Sequence, residues 1–159
     1  MNEERDKTAA QAAGLFEEGF HCSQAVLAAC AGLFREEPPP PELTAAMAAF
    51  SGGMFGSGQT CGALSGALAA VGFALGKTTP KGENHKQMNR IGQEMVKEFA
   101  RLTSEYGGMS CTDIAKVDWQ DSEAVRRFRT DPNSTRRHCV HVVRETGGCL
   151  HDLAKKHLI

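Results

Sequence analysis

The sequence predicts an all-α protein, a compact single-domain bundle of about six to seven helices with one glycine-rich loop. Three observations carry that prediction. No segment alternates apolar and polar residues as a half-buried strand would. Segment 84–106 instead sets Met88, Ile91, Met95, Phe99, Leu102 and Tyr106 at helical spacings of three and four. Gly19, Pro38–Pro41, Gly76, Gly107-Gly108 and Pro132 fall between the helix-length stretches as stop signals.

The elements follow in order. Segment 3–18 carries Ala9, Ala12, Ala13 and Phe16 on one stripe and ends at Gly19. Segment 22–34 is apolar nearly all round and reads as a buried helix. The prolines at 38–41 cannot lie inside a helix, so residues 36–41 are a linker that leads into a helix over 42–50. Residues 51–60, Ser-Gly-Gly-Met-Phe-Gly-Ser-Gly-Gln-Thr, form the glycine-rich loop. Thr60 is suited to cap a helix over 61–76. Asn84 with Gln87 resembles a capping box for the long amphipathic helix. Ser110 and Asp113 repeat that pattern before a short helix. A further helix spans 122–130. The last starts near Ser134 or Thr135 and runs toward Leu158, with a bend expected at Gly147-Gly148.

The 159 residues suit one domain, 1–159, with no internal repeat. A net charge of −1 gives no global field for nucleic acid. Arg126, Arg127, Arg129, Arg136 and Arg137 cluster locally, either as a solvated helix face or as a docking patch for an acidic partner. The most apolar run, 61–76, is shorter than the roughly 20 residues of a spanning helix. The charged start, with no apolar stretch behind it, does not read as a secretory signal. The expectation is a cytoplasmic protein without membrane insertion. In that compartment six cysteines point to metal binding or catalysis rather than to structural disulfides.

Four cysteines, Cys22, Cys61, Cys111 and Cys139, fall at predicted helix starts, separated by 39, 50 and 28 positions. Free backbone N–H groups and the helix dipole stabilise an anion there, so a thiolate is favoured. None forms a C-x-x-C pair, so the fold itself must assemble any shared site. The glycine loop before Cys61 is expected to add N–H donors and to let backbone approach sulfur. Gly58 and Gly62 are therefore the candidate cofactor-contacting glycines. Both Gly62 and Gly66 are costly in a helix, which implies close approach: Gly62 to the cysteine site, Gly66 to a neighbouring helix. The loop lacks the strand and the Gly-Lys-Ser/Thr of a nucleotide-binding loop. Cys30 and Cys149 read as packing. The histidines beside cysteines, His21, His138, His141 and His151, read as partly exposed helix residues or as auxiliary ligands.

The stretches Phe20-His-Cys-Ser-Gln-Ala-Val26, Ser51-Gly-Gly-Met-Phe-Gly-Ser-Gly58 and Cys61-Gly-Ala-Leu-Ser-Gly66, followed by Cys111 and Cys139, resemble the bacterial and archaeal "putative redox-active protein" family. The resemblance covers about residues 8–155. It implies a small helical protein whose four shared cysteines match Cys22, Cys61, Cys111 and Cys139, with an iron–sulfur or other redox role. A similar module accompanies haem in split-Soret cytochromes, but no C-x-x-C-H is present here for covalent haem. The expected function is electron transfer through an iron–sulfur cluster held by these four cysteines. The partner would be a redox protein or oxidoreductase, and the chain an accessory rather than a stand-alone enzyme. A homodimer is compatible with this. The alternatives are a metal-free thiol–disulfide protein and a structural zinc site in an interaction module.

Overall fold

The computed structural model describes residues 2–158. Their architecture follows from two helices that are apolar on nearly every side and must be covered. These are α2 (Cys22–Cys30) and α4 (Gly62–Leu75), which pack against each other at the centre. Ala25, Val26, Leu27, Ala63, Ala67 and Val71 are buried between them and their neighbours. The long helices α1 (Glu3–Glu18) and α8 (Arg136–Leu158) lie together along one side, and α5 (Met88–Thr103) closes the core over α4 and α8. The apolar stripe of α5 is inward as its spacing requires: Ile91, Met95 and Phe99 are fully buried. The short helices α3 (Pro41–Met47), α6 (Cys111–Ala115) and α7 (Ser122–Thr130) complete eight α-helices among the described residues.

The local signals work as chemistry. Asn2 accepts from Arg5 N, Ser110 from Asp113 N, and Asp121 from Glu123 N and Ala124 N, which caps α1, α6 and α7. Gly19 at φ 128° ends α1. Three expected helices close on a 3₁₀ turn: residues 31–33, 48–50 and 104–106 tighten the chain as it leaves α2, α3 and α5.

Two expectations are corrected. Helix α5 starts at Met88, not at Asn84, and no side chain caps it. The Asn84 side chain is drawn away to accept from Lys77 N at 2.8 Å, and His85 N donates to Leu75 O, so residues 76–87 fold back on the end of α4. Helix α8 runs uninterrupted past Gly147-Gly148. Those glycines serve close packing instead. A Cβ on Gly147 would meet Ala12 Cβ at 3.2 Å, and one on Gly148 would meet the Arg5 guanidinium at 2.7 Å. Arg5 in turn pairs with Glu145 and Asp152, fastening α1 to α8. Among the described residues no helix is long and apolar enough to cross a membrane.

Candidate functional site

Four chain segments bring one cysteine each to a single cavity of about 1130 Å³. Cys22 is the first residue of α2, Cys61 the N-cap of α4, Cys111 the first residue of α6, and Cys139 the fourth residue of α8. All four line the cavity, and all six cysteines are free thiols. Cys30, at the end of α2, is fully buried in the core. Cys149 is buried on the far part of α8 and does not reach the cavity.

Two devices hold the cysteines in place. Near Cys22, the Ser23 hydroxyl donates to Met47 O at 2.6 Å and Gln24 Nε2 donates to Thr44 O at 3.1 Å, tying the start of α2 to α3. Near Cys61 and Cys111, the backbone forms a single β-bridge between Thr60 and Ser110. Cys61 N donates to Met109 O, and Cys111 N to Gln59 O. This short bridge sets the starts of α4 and α6 side by side.

The glycine loop is built differently from the expectation. Its N–H groups from Met54 to Gln59 each donate to a backbone carbonyl rather than to sulfur. Phe55 N donates to Ala49 O, Gly58 N to Gly52 O and Gln59 N to Gly53 O, so the loop bonds to itself and to the preceding turn. The backbone passes through positive φ at every residue from Gly52 to Gly56, including Met54 at 68° and Phe55 at 52°. Bulky side chains rarely adopt that conformation. The expected close approach is present at Gly53, where a Cβ would lie 2.8 Å from Cys111 Cβ. Gly58 does not line the cavity. Its carbonyl accepts from Thr112 N and Thr112 Oγ1, and a Cβ would lie 2.3 Å from that hydroxyl. Gly62 does meet the site: its Cβ would stand 2.6 Å from Cys22 Sγ. Gly66 faces the backbone of α2, where a Cβ would stand 2.3 Å from Ser23 O.

Helix-start placement is therefore as expected, but backbone N–H groups that also act on Cys61 and Cys139 leave only Cys22 lowered on balance. The Cys22 thiol is held below its ordinary pKa, first by the adjacent Cys61 thiol and then by the N–H groups of Ser23, Cys22 and Gly62. The starts of α2 and α4 both serve that sulfur. Cys61 is pushed up, mainly by its bond to Cys22 and then by burial. Burial is the main cause that raises Cys111 and Cys139. Low-dielectric surroundings penalise a second and third thiolate beside the first.

Sequence reasoning missed the cavity's other groups. Trp119, the chain's single tryptophan, donates its indole N–H to Cys111 Sγ at 3.1 Å and meets Phe128 edge-on. Phe16, Phe20 and Phe55 share the lining, as does Arg136, whose guanidinium lies 4.4 Å over the Phe16 ring. The histidines divide. His21 lines the cavity beside Cys22. His138 bonds through Nδ1 to Ile114 O and stacks on Tyr106. His141 is exposed. His151 is 4% exposed, deeper than expected, and bonds to Thr8 Oγ1.

Among the described residues no three His, Cys, Asp or Glu side chains converge closely enough to hold one metal ion. Four thiols, those of Cys22, Cys61, Cys111 and Cys139, stand on the wall of one cavity. Residues 20–153 match the family model described as "putative redox-active protein (C_GCAxxG_C_C)". The chain belongs to that family. No curated protein and no solved structure matches it.

Proposed function

We propose that this redox-active family member binds an iron–sulfur cluster through Cys22, Cys61, Cys111 and Cys139 and passes electrons to a protein partner. The observation that carries the reading is the convergence of four cysteines, from four separate helix starts, on one cavity. A cluster held there supplies one-electron chemistry at thiolate-ligated iron. The chain's own groups prepare the site. N–H groups of Cys22, Ser23 and Gly62 favour a thiolate at Cys22, and the Trp119 N–H stabilises negative charge on Cys111. Hydrogen bonds to sulfur of this kind raise a cluster's potential.

Anaerobic reconstitution with ferrous iron and sulfide tests the proposal. Brown protein with visible absorption is expected. Serine at any of the four positions should sharply lower bound iron. Cys30→Ala and Cys149→Ala should retain it, at a packing cost of about 1–2 kcal/mol. Equal iron loss in both sets, or a colourless wild type, would overturn the cluster.

A second reading has its own support, the contact between Cys22 and Cys61. There the Cys22 thiolate and the Cys61 thiol would join as a disulfide, giving two electrons and the Cys61 proton to an oxidising partner. It predicts colourless protein in which reduction frees these two thiols.

A further inference from the structure

The cavity offers more room and a different lining than four sulfurs require. Its volume of about 1130 Å³ lies just above the range of small-molecule sites, which run roughly 300–1,000 Å³. Beyond the thiols its wall is aromatic: Phe16 and Phe128 are buried, Trp119 is partly covered, and Phe20 and Phe55 stand exposed at the rim. Phe55 is 84% exposed, held there by a left-handed backbone that costs stability.

The same wall carries unmatched positive charge. Arg5, Arg35, Arg101, Arg126 and Arg127 each have a carboxylate partner. Arg136 and Arg129 line the cavity, and among the described residues neither has a carboxylate within 4.0 Å. Arg136 is half-buried over Phe16 and spends one N–H on Phe16 O at 3.3 Å, leaving the rest of its fork open. A partly desolvated guanidinium without a counter-charge favours an anion, and it binds carboxylates through paired N–H donors. Glu17 on the same lining limits the net positive charge, so one anionic group is matched better than two.

We propose that this cavity binds an aromatic molecule carrying a single anionic group, the ring among Phe16, Phe20, Trp119 and Phe128 and the anion at Arg136 and Arg129. The proposal gives the redox site a small-molecule ligand, and it stands whether or not a cluster is present.

Calorimetric titration of the full chain, purified anaerobically, tests it with two probes of one shape: 2-naphthoate and uncharged naphthalene-2-methanol. Iron content is measured in the same sample. Naphthoate should bind one per chain and about tenfold more tightly than the alcohol. Arg136→Gln should bring the two probes to within about twofold of each other. Arg129→Gln, at an exposed position, should reduce the preference too, and it decides alone if Arg136→Gln loses its helical circular dichroism. The proposal is overturned by no saturable naphthoate binding, by equal affinity of the two probes in the wild type, or by a preference that survives in the folded variants. A sample that stays iron-free after reconstitution and still binds naphthoate would sink the cluster and keep the aromatic site. An iron-loaded sample that ignores naphthoate would do the reverse.

Discussion

Cys30 and Cys22 lie at opposite ends of one nine-residue helix, yet their thiols are pushed in opposite directions. Burial alone raises Cys30, to about 12. At Cys22 the neighbouring thiol and three backbone N–H groups outweigh the same burial. Helix-end chemistry thus decides reactivity where composition cannot. The Cys30 shift has a consequence for stability. A thiol whose folded pKa exceeds its unfolded value of about 9 keeps its proton longer in the native state. Its contribution is complete below that pH and drains away as pH rises toward 12. Cys61, Cys111, Cys139 and Cys149 are raised too and act in the same direction. Urea unfolding at increasing alkaline pH should therefore show falling stability, with a shallower fall in Cys30→Ala. An equal slope in both proteins would show that this thiol does not ionise differently on unfolding. The placement of the cysteines was legible because helix starts announce themselves through Ser110 and the flanking glycines, although at α4 the N-cap is Cys61, not the expected Thr60, and no side chain caps it. The Trp119 contact was not, because it joins a loop indole to a sulfur eight residues away through a turn that no local signal specifies.

At the scale of an element, α4 shows how one helix uses glycine for three purposes. Gly62 leaves room for Cys22 Sγ, Gly66 lets α2 approach until its carbonyl would touch a Cβ, and Gly72 has nothing within 4 Å of its missing side chain. The substitutions should separate accordingly. Gly72→Ala should stabilise by about 0.5–1 kcal/mol, since alanine is the better helix former and meets no obstacle. Gly66→Ala should destabilise by about 1–3 kcal/mol or more, because backbone must move. Gly62→Ala should act mainly on the site, slowing alkylation of Cys22 or lowering iron content at modest cost in stability. Thermal melts and thiol mapping of the three variants check this ranking, and a Gly72→Ala variant less stable than Gly66→Ala would reverse it. The sequence spacing correctly assigned close approach to Gly62 and Gly66. It was misleading at Asn84, where a capping pattern lost its side chain to Lys77 N, a contact created only once α4 and α5 fold back together.

On the scale of the whole molecule, the cysteine cavity belongs to no single element. The end of α1, the starts of α2 and α4, α3 and the glycine loop line it together with α8 and the α6–α7 segment, with Phe128, Ala115 and Cys111 in a small core of their own. An all-α class with most helix limits could be read from periodicity and caps, because those are local. The pairing of α1 with α8 could not, since it depends on Arg5, Gly147 and Gly148 meeting across the length of the chain. The Thr60–Ser110 bridge carries a further consequence, for the order of folding. It closes a loop of about 50 residues, a late and entropically costly event. Helices α1, α2 and α4 can assemble without it. During refolding, then, Cys30 should become shielded from a pulse of alkylating reagent before Cys111 does. The chain acquires its fold first and its chemistry afterwards, so a newly made molecule passes through a stage that is folded at the centre and still open at the sulfur-lined end.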